Sequence, residues 1–275
     1  MPLPNWLFIT FDSLRWDVFD GADVPFLRSL GSWHKALTHG TFTLPAHMAF
    51  FSGKLPVVVG AGEYLDTVWR VTSKRELVRA RSLWRMMIPE SPNDTLVQLA
   101  GRNVIEGFNI LGYVTIGTGS VEWFNDCHTT SLPLVQDFAH YAFRGGSGQS
   151  TLAAAEMQLE WVKRTIEAVD LEQPLFLFMN FGETHHPFPS PPDEYSRASE
   201  SPFGDHALCF ERQTRALVYL DKLLSNFCFM SRFTCMVMCG DHGTCFGEDG
   251  LWGHNVAHPK VLEVPLLVKA ALPLT

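Results

Sequence analysis

Four places in the chain carry metal-ligating or nucleophilic side chains, three of them directly behind a short apolar run. The first is Phe8-Ile9-Thr10-Phe11-Asp12-Ser13, where an aspartate leaving a core-like segment can project its carboxylate into a crevice and hold a cation. Taken alone, Asp12 would equally serve as the cap of a following helix. The second is Gly40-Thr41-Phe42-Thr43-Leu44-Pro45-Ala46-His47. A threonine hydroxyl is almost wholly protonated at neutral pH, and a bound cation is one way to turn it into a nucleophile. Pro45 restricts the backbone just beyond Thr43 and helps to fix its angle, although Thr-x-Pro also describes an ordinary turn.

The third place is the most specific. Met238-Cys239-Gly240-Asp241-His242-Gly243 offers an oxygen and a nitrogen ligand after an apolar strand, and Gly243 allows a sharp turn behind them. Glycine-rich turns flank His254, twelve residues after His242, and can return it to the same crevice. Burying an Asp-His pair without strong partners is costly, so a plain core role explains it poorly. The fourth follows Leu175 to Asn180 and reads Phe181-Gly182-Glu183-Thr184-His185-His186-Pro187-Phe188-Pro189, again a carboxylate and imidazoles at the end of an apolar run.

These groups need strands to aim them. Short apolar segments at Leu7 to Phe11, Tyr113 to Gly117, Leu175 to Phe181, Thr234 to Cys239 and Val264 to Val268 have strand character. Helical spacing predicts helices over Thr95 to Leu111, Thr151 to Val169 and His206 to Phe227. The alternation predicts an α/β fold with a largely parallel central sheet sandwiched by helices, the site gathering beyond the carboxyl ends of its strands. Residues 1–275 are expected to form one catalytic domain, with 53–90, which holds a basic run from Arg70 to Arg85, as a cap or insertion. The glycine cluster from Arg144 to Gln149 lacks the lysine of a phosphate-binding loop and is expected to be a hinge or linker.

The whole composition bounds the partners. With 29 acidic against 21 basic residues the net charge is -8, which excludes nucleic acid as a bulk ligand. No apolar run approaches the ~20 residues of a membrane span, and the chain enters its first strand without a signal-like leader, so no membrane partner and a cytoplasmic location are expected. The six cysteines form no CxxC pair, fitting reduced core thiols; Cys245 lies near enough to His242 to serve as an accessory group.

Taken together, strand-end Asp12, the Thr43 motif, His-x-Pro-Phe, Asp-His-Gly and downstream His254 resemble the alkaline phosphatase and sulfatase superfamily, in the right order and over nearly the whole chain. The Thr-x-Pro-x-His form resembles nucleotide pyrophosphatases and phosphodiesterases. The His185 and His254 spacings look more like sulfatases and lipid phosphoethanolamine transferases. The resemblance implies an alkaline phosphatase-like fold; the chain ends soon after the Val264 strand, where many sulfatases continue, so a compact version without a large carboxyl-terminal subdomain is expected. It implies metal ligation by Asp12, Thr43, Asp241 and His242, with Thr43 as nucleophile. It further implies that His185 and His254 contact the transferred group, protonate the leaving group or, with Glu183, hold a second ion.

The chain departs from sulfatases in having Thr43 and His47 where they carry an oxidisable cysteine or serine and an arginine. It departs from two-zinc members around Glu183, which lacks their Asp-x-x-x-His spacing. His185 or His186 faces the site, with the distance to Pro187 favouring His185. The expected activity is therefore metal-dependent hydrolysis of a small-molecule phosphate monoester or diester through a Thr43 phosphoryl-enzyme. The expected cofactor is Zn2+, with Mn2+ as the alternative, as one or two ions. Phosphoryl or substituted-phosphoryl transfer to a soluble acceptor, sulfatase-like hydrolysis and non-catalytic metal binding are the other readings.

Overall fold

The computed structural model describes residues 3–53, 78–79, 84–86, 97–99, 102–128, 131–145, 153–169, 172–189 and 201–270. The chain starts in strand β1 (Trp6–Phe11), followed by short helices α1 (Trp16–Gly21) and α2 (Pro25–Ser29), strand β2 (Trp33–Leu37) and helix α3 (Thr43–Ser52). Three small strands, β3 (Val78–Arg79), β4 (Trp84–Met86) and β5 (Val97–Leu99), form an antiparallel sheet of their own. Then come α4 (Val104–Ile110), β6 (Val114–Gly119), α5 (Leu132–Val135), β7 (His140–Phe143), α6 (Ala154–Ala168) and β8 (Leu175–Phe181). The last third holds α7 (His206–Ser225), β9 (Cys235–Gly240), a hairpin of β10 (Cys245–Phe246) and β11 (Trp252–Gly253), α8 (Pro259–Leu262) and β12 (Glu263–Lys269).

The main sheet has the order β2-β12-β9-β1-β8-β6-β7. Strands β9, β1, β8, β6 and β7 run parallel, while β12 lies antiparallel to both β9 and β2. The fold is therefore mixed α/β with a large, mostly parallel sheet flanked by helices. Because side chains alternate along a strand, β1 and β8 each divide between two cores. Leu7, Ile9, Phe11, Leu175, Leu177, Met179 and Phe181 pack with α1, α6 and α7 on one face. Phe176 and Phe178 pack with Phe42, Leu44, Met48, Phe51, Phe124 and Phe138 on the other.

One expectation about the elements changes. The helix expected over Thr95 to Leu111 is confined to α4, because β5 occupies 97–99 and Asn103 starts the helix with a capping box: its side chain accepts from Glu106 N while Glu106 accepts from Asn103 N. Of the cap expected at 53–90, only Gly53 and the strands β3 and β4 are described; of the hinge expected at 144–149, only Arg144 and Gly145. No helix among the described residues is long and apolar enough to cross a membrane.

Candidate active site

Strand β1 sits at the centre of the sheet, paired parallel with β8 on one side and β9 on the other. Ligand crevices in parallel sheets open beyond the carboxyl ends of the strands. Asp12 follows β1, Asp241 follows β9, and Glu183, Thr184 and His185 follow β8. Thr43 occupies the first position of α3, with the extended Phe42 before it. The turn into α3 depends on Gly40: a Cβ there would stand 2.4 Å from the backbone nitrogen of Ala46.

Asp12, Asp241 and His242 place ligand atoms within 4.8 Å of one another, all buried, and they are the only such group of three among the described residues. Thr43 joins them: its hydroxyl donates to Asp12 Oδ2 at 3.0 Å and lies 3.5 Å from His242 Nε2. His242 Nε2 is 3.6 Å from Asp12 Oδ1 and 3.6 Å from Asp241 Oδ2. The tautomer of His242 follows from its other nitrogen. Nδ1 lies 2.8 Å from the carbonyl oxygen of Gly243, which can only accept, so Nδ1 carries the hydrogen and the Nε2 lone pair faces the carboxylates.

The two carboxylates are held by their second oxygens. Asp241 Oδ1 accepts from Ser13 N and His242 N, while Asp241 Oδ2 is buried and accepts no hydrogen bond. Asp12 Oδ1 accepts from the Ser13 hydroxyl. Ser13 holds a left-handed backbone, φ 62°, an uncommon state for a non-glycine residue and one that aims its N–H and hydroxyl at the two aspartates. Burial, then the neighbouring Asp12 charge, pushes the Asp241 carboxyl well above the usual range. Burial likewise lowers His242.

Gly243 has a different reason from the sharp turn expected of it. Its φ is not in the left-handed region; instead a Cβ there would stand 2.1 Å from the carbonyl oxygen of Lys260, so the position is small because two backbones touch.

The structure turns His185 rather than His186 toward this cluster. The His185 ring centroid is 5.3 Å from that of His254, which is 4.7 Å from that of His242. His185 Nδ1 donates to the His186 carbonyl at 2.7 Å, leaving Nε2 as its outward nitrogen. His186 instead bonds Ser201 Oγ at 2.7 Å and stacks on Phe203 at 4.2 Å. His254 is held well below the ordinary histidine range by burial, then by His242 and His185.

Glu183 is placed differently from the other candidates. It is buried, and its Oε1 accepts from Ala155 N at 2.8 Å, at the first turn of α6; among the described residues it enters no group of three ligand atoms. Burial, offset in part by backbone N–H groups, raises it to about 7. Cys245 lies buried in β10 with its thiol pushed up to about 11 by burial, the behaviour of a core thiol.

Several supporting groups escape a reading of the sequence. Arg15, buried, pairs with Asp17 at 2.6 Å and Glu248 at 2.8 Å and lies 4.2 Å over the Phe246 ring, tying the exit of β1 to the β10–β11 hairpin that leads to His254. Gln213 of α7 donates to the carbonyls of Ser13 and Thr184 at 2.8 Å each. His47, one helical turn after Thr43, was visible only as the end of Thr-x-Pro-x-His. The available signal was the four-residue spacing, which stacks the two side chains on one face once α3 is a helix.

No protein-family profile matches the chain, and no curated protein matches it in sequence. Solved structures do. The chain is similar to the C-terminal periplasmic domain of the phosphoethanolamine transferase EptC from Campylobacter jejuni, with TM-score 0.64 and 13% identity over 97% of this chain and 78% of that one. It is similar to a protein in the alkaline phosphatase superfamily from Vibrio parahaemolyticus, with TM-score 0.59 and 14% identity, covering 99% of this chain and 61% of that one. The corresponding EptC domain from Escherichia coli, in complex with Zn, matches with TM-score 0.61 and 10% identity over 98% of this chain and 74% of that one. The chain thus has the fold of the alkaline phosphatase superfamily, as its strand-end residues led us to expect.

Proposed function

We propose that this chain is a metal-dependent enzyme that cleaves phosphate esters with Thr43 as its nucleophile. The observation that carries the reading is the position of the Thr43 hydroxyl, 3.0 Å from Asp12 Oδ2 and 3.5 Å from His242 Nε2, against a buried trio of ligand atoms. Two buried carboxylates side by side repel each other, and Asp241 Oδ2 lacks any donor; a divalent cation answers both problems. Asp12, Asp241, His242 and Thr43 would hold that cation, and imidazole with carboxylate suits Zn2+ first and Mn2+ next. When bound, it favours the ionised hydroxyl and offsets charge building on phosphoryl oxygens.

The chain's own residues supply the rest. Asp12 Oδ2 accepts the Thr43 hydrogen and so sets the direction of Oγ. Thr43 lies at the amino end of the ten-residue α3, whose dipole favours the anionic form of both hydroxyl and substrate. Oγ, its proton released to water, attacks phosphorus as the bond to the alcohol breaks. The alcohol departs with a proton from His185 while neutral His254 contacts the transferred group, and water then releases the phosphate from Thr43. His185 and His254 form the second half of the site, binding the transferred group or a second ion. Glu183 would join that half through its second oxygen, since Oε1 accepts from Ala155 N while Oε2 is buried with no hydrogen-bond partner.

A second reading ends the same phosphoryl-enzyme by transfer to a soluble acceptor. The likeness to phosphoethanolamine transferase domains favours it over sulfatase-like hydrolysis. The proposed partner is a small phosphate ester, with neither nucleic acid nor membrane involved. The proposed location is cytoplasmic, supported by the lack of any disulfide among the described cysteines.

The test is a panel of phosphate mono- and diesters, phosphonates and sulfates, run with metal analysis on the wild-type chain and Thr43→Ala. We expect phosphate ester turnover that falls by at least about 1,000-fold in Thr43→Ala while most of the metal remains. Equal rates in the two proteins would end the proposal, and turnover of sulfates alone would redirect it.

A further inference from the structure

His47 is fully buried in the first turns of α3, and both of its ring nitrogens are committed. Nδ1 lies 2.8 Å from the carbonyl oxygen of Thr43. A carbonyl only accepts, so Nδ1 bears the hydrogen. Nε2 lies 2.9 Å from Thr10 Oγ1, and that oxygen in turn accepts from Asn180 Nδ2 at 3.0 Å. With its oxygen engaged by Asn180, the Thr10 hydroxyl turns its hydrogen to Nε2. The hydrogen bonds therefore run one way, from Asn180 on β8 to Thr10 on β1, to His47, to the backbone of Thr43. Each member of this chain is buried.

The ring has no freedom to leave this arrangement. Phe50, Phe51, Phe124 and Phe178 stand edge-on around it, with centroids 5.5, 6.1, 4.8 and 5.9 Å away. Nδ1 also lies 3.8 Å from Asp241 Oδ2, the carboxylate oxygen that accepts no hydrogen bond. A fully buried imidazole on an aromatic face, at the end of a hydrogen-bonded chain whose last donor meets the Thr43 carbonyl, is more than packing. Leucine or methionine would fill that space without burying three polar side chains to satisfy one another.

We propose that His47 is a positioning residue, which through Asn180 and Thr10 fixes the first turn of α3 and with it the direction of Thr43 Oγ toward the substrate. This rests on the reading of Thr43 as nucleophile. Because strands β1 and β8 carry the chain, the nucleophile is referenced to the same strands that carry Asp12 and His185.

The experiment has two arms on the full-length chain. In the first, long-range 1H–15N spectra of labelled histidine identify the His47 tautomer. We expect a neutral ring protonated at Nδ1 in the wild type and a weakened preference in the near-isosteric Thr10→Val. A ring protonated at Nε2 would overturn the proposal whatever the activity. In the second, kcat and KM are measured on the best phosphate ester for His47→Leu, His47→Asn and Thr10→Val, with folding checked by thermal unfolding.

His47→Leu is expected to lose about 100-fold in kcat with KM within about twofold, since a small misplacement of the attacking atom acts on chemistry rather than binding. His47→Asn, whose amide nitrogen can reach the Thr43 carbonyl, is expected to recover part of that loss. Thr10→Val keeps the fold and should still lower kcat. Unchanged kcat in Thr10→Val and His47→Leu, or a loss confined to KM, would sink the positioning role. If the wild type turns over no ester, the nucleophile reading fails, while the tautomer arm still decides whether the hydrogen-bond chain exists.

Discussion

Glu183 is a strand-end carboxylate with one oxygen on a helix amide and the other buried without a hydrogen-bond partner. Its type and position after β8 match those of Asp12 and Asp241, yet its Oε1 meets Ala155 N. Its folded-state value of about 7 lies above its ordinary value of 4.5, so between those values the folded chain binds the extra proton. The penalty is absent below about pH 4.5, grows as pH rises, and is fully present above about 7. Glu183→Gln keeps the acceptor for Ala155 N and removes the charge. It should therefore stabilise the chelator-treated protein by roughly 2–3 kcal/mol at pH 8 and by almost nothing at pH 4.5, read by urea unfolding. The same variant should keep its metal; a proportionate loss of bound ion would place Glu183 in the ligand set. In the sequence, Asp12, Asp241 and His242 were legible because strand-end placement is written into local pattern, and Thr43 through the Thr-x-Pro-x-His motif. The environment of Glu183 was not, because it depends on where α6 docks.

At the level of elements, β1, β8 and β9 and helices α6 and α7 lie close to where periodicity predicts them. Strands β2 and β7 and helix α3 were missed. Strand β2 reads Trp-His-Lys-Ala-Leu and occupies the sheet edge, so it has no continuous apolar run. Helix α3 is buried along nearly its whole length, from Thr43 through Ala49 and at Phe51, and a helix buried all round has no polar stripe to reveal its period. Its entrance depends on one small residue. Gly40→Ala would drive a methyl group into the backbone of Ala46, so we expect about 1–3 kcal/mol of lost stability. Since the displaced turn is the one holding Thr43, kcat should fall by about tenfold or more. Wild-type kcat in the Gly40→Ala variant would show that the α3 start tolerates movement.

Across the whole molecule, the crevice is assembled from both halves of the chain, and Arg15 is the tie between them. It comes from the exit of β1 and reaches Glu248 in the β10–β11 hairpin, while Asp17 also receives Lys260 at 2.6 Å. Arg15 and Lys260 hold the Asp17 carboxyl down to about 2, against the upward push of burial. Removing the guanidinium leaves two partly solvated carboxylates and an uncovered Phe246 face. Arg15→Ala should therefore cost about 3 kcal/mol in denaturant unfolding, toward the low end for breaking a buried pair because water reaches the partners. A change below about 0.5 kcal/mol would mean that the hairpin is held by packing alone.

Strand β1 has hydrogen-bonded neighbours on both sides over its entire length, Trp6 to Phe11 pairing with Phe176 to Phe181 and with Cys235 to Gly240. It has no edge from which to fray, so its amides can open to solvent only when both neighbouring strands give way. Hydrogen exchange at Leu7 to Phe11 should accordingly report global unfolding, while that of edge strand β2 reports local opening. On the time scale of one catalytic turnover Asp12 is then a fixed point, and any motion needed to admit a substrate or release a product must belong to the loops and the β10–β11 hairpin around it.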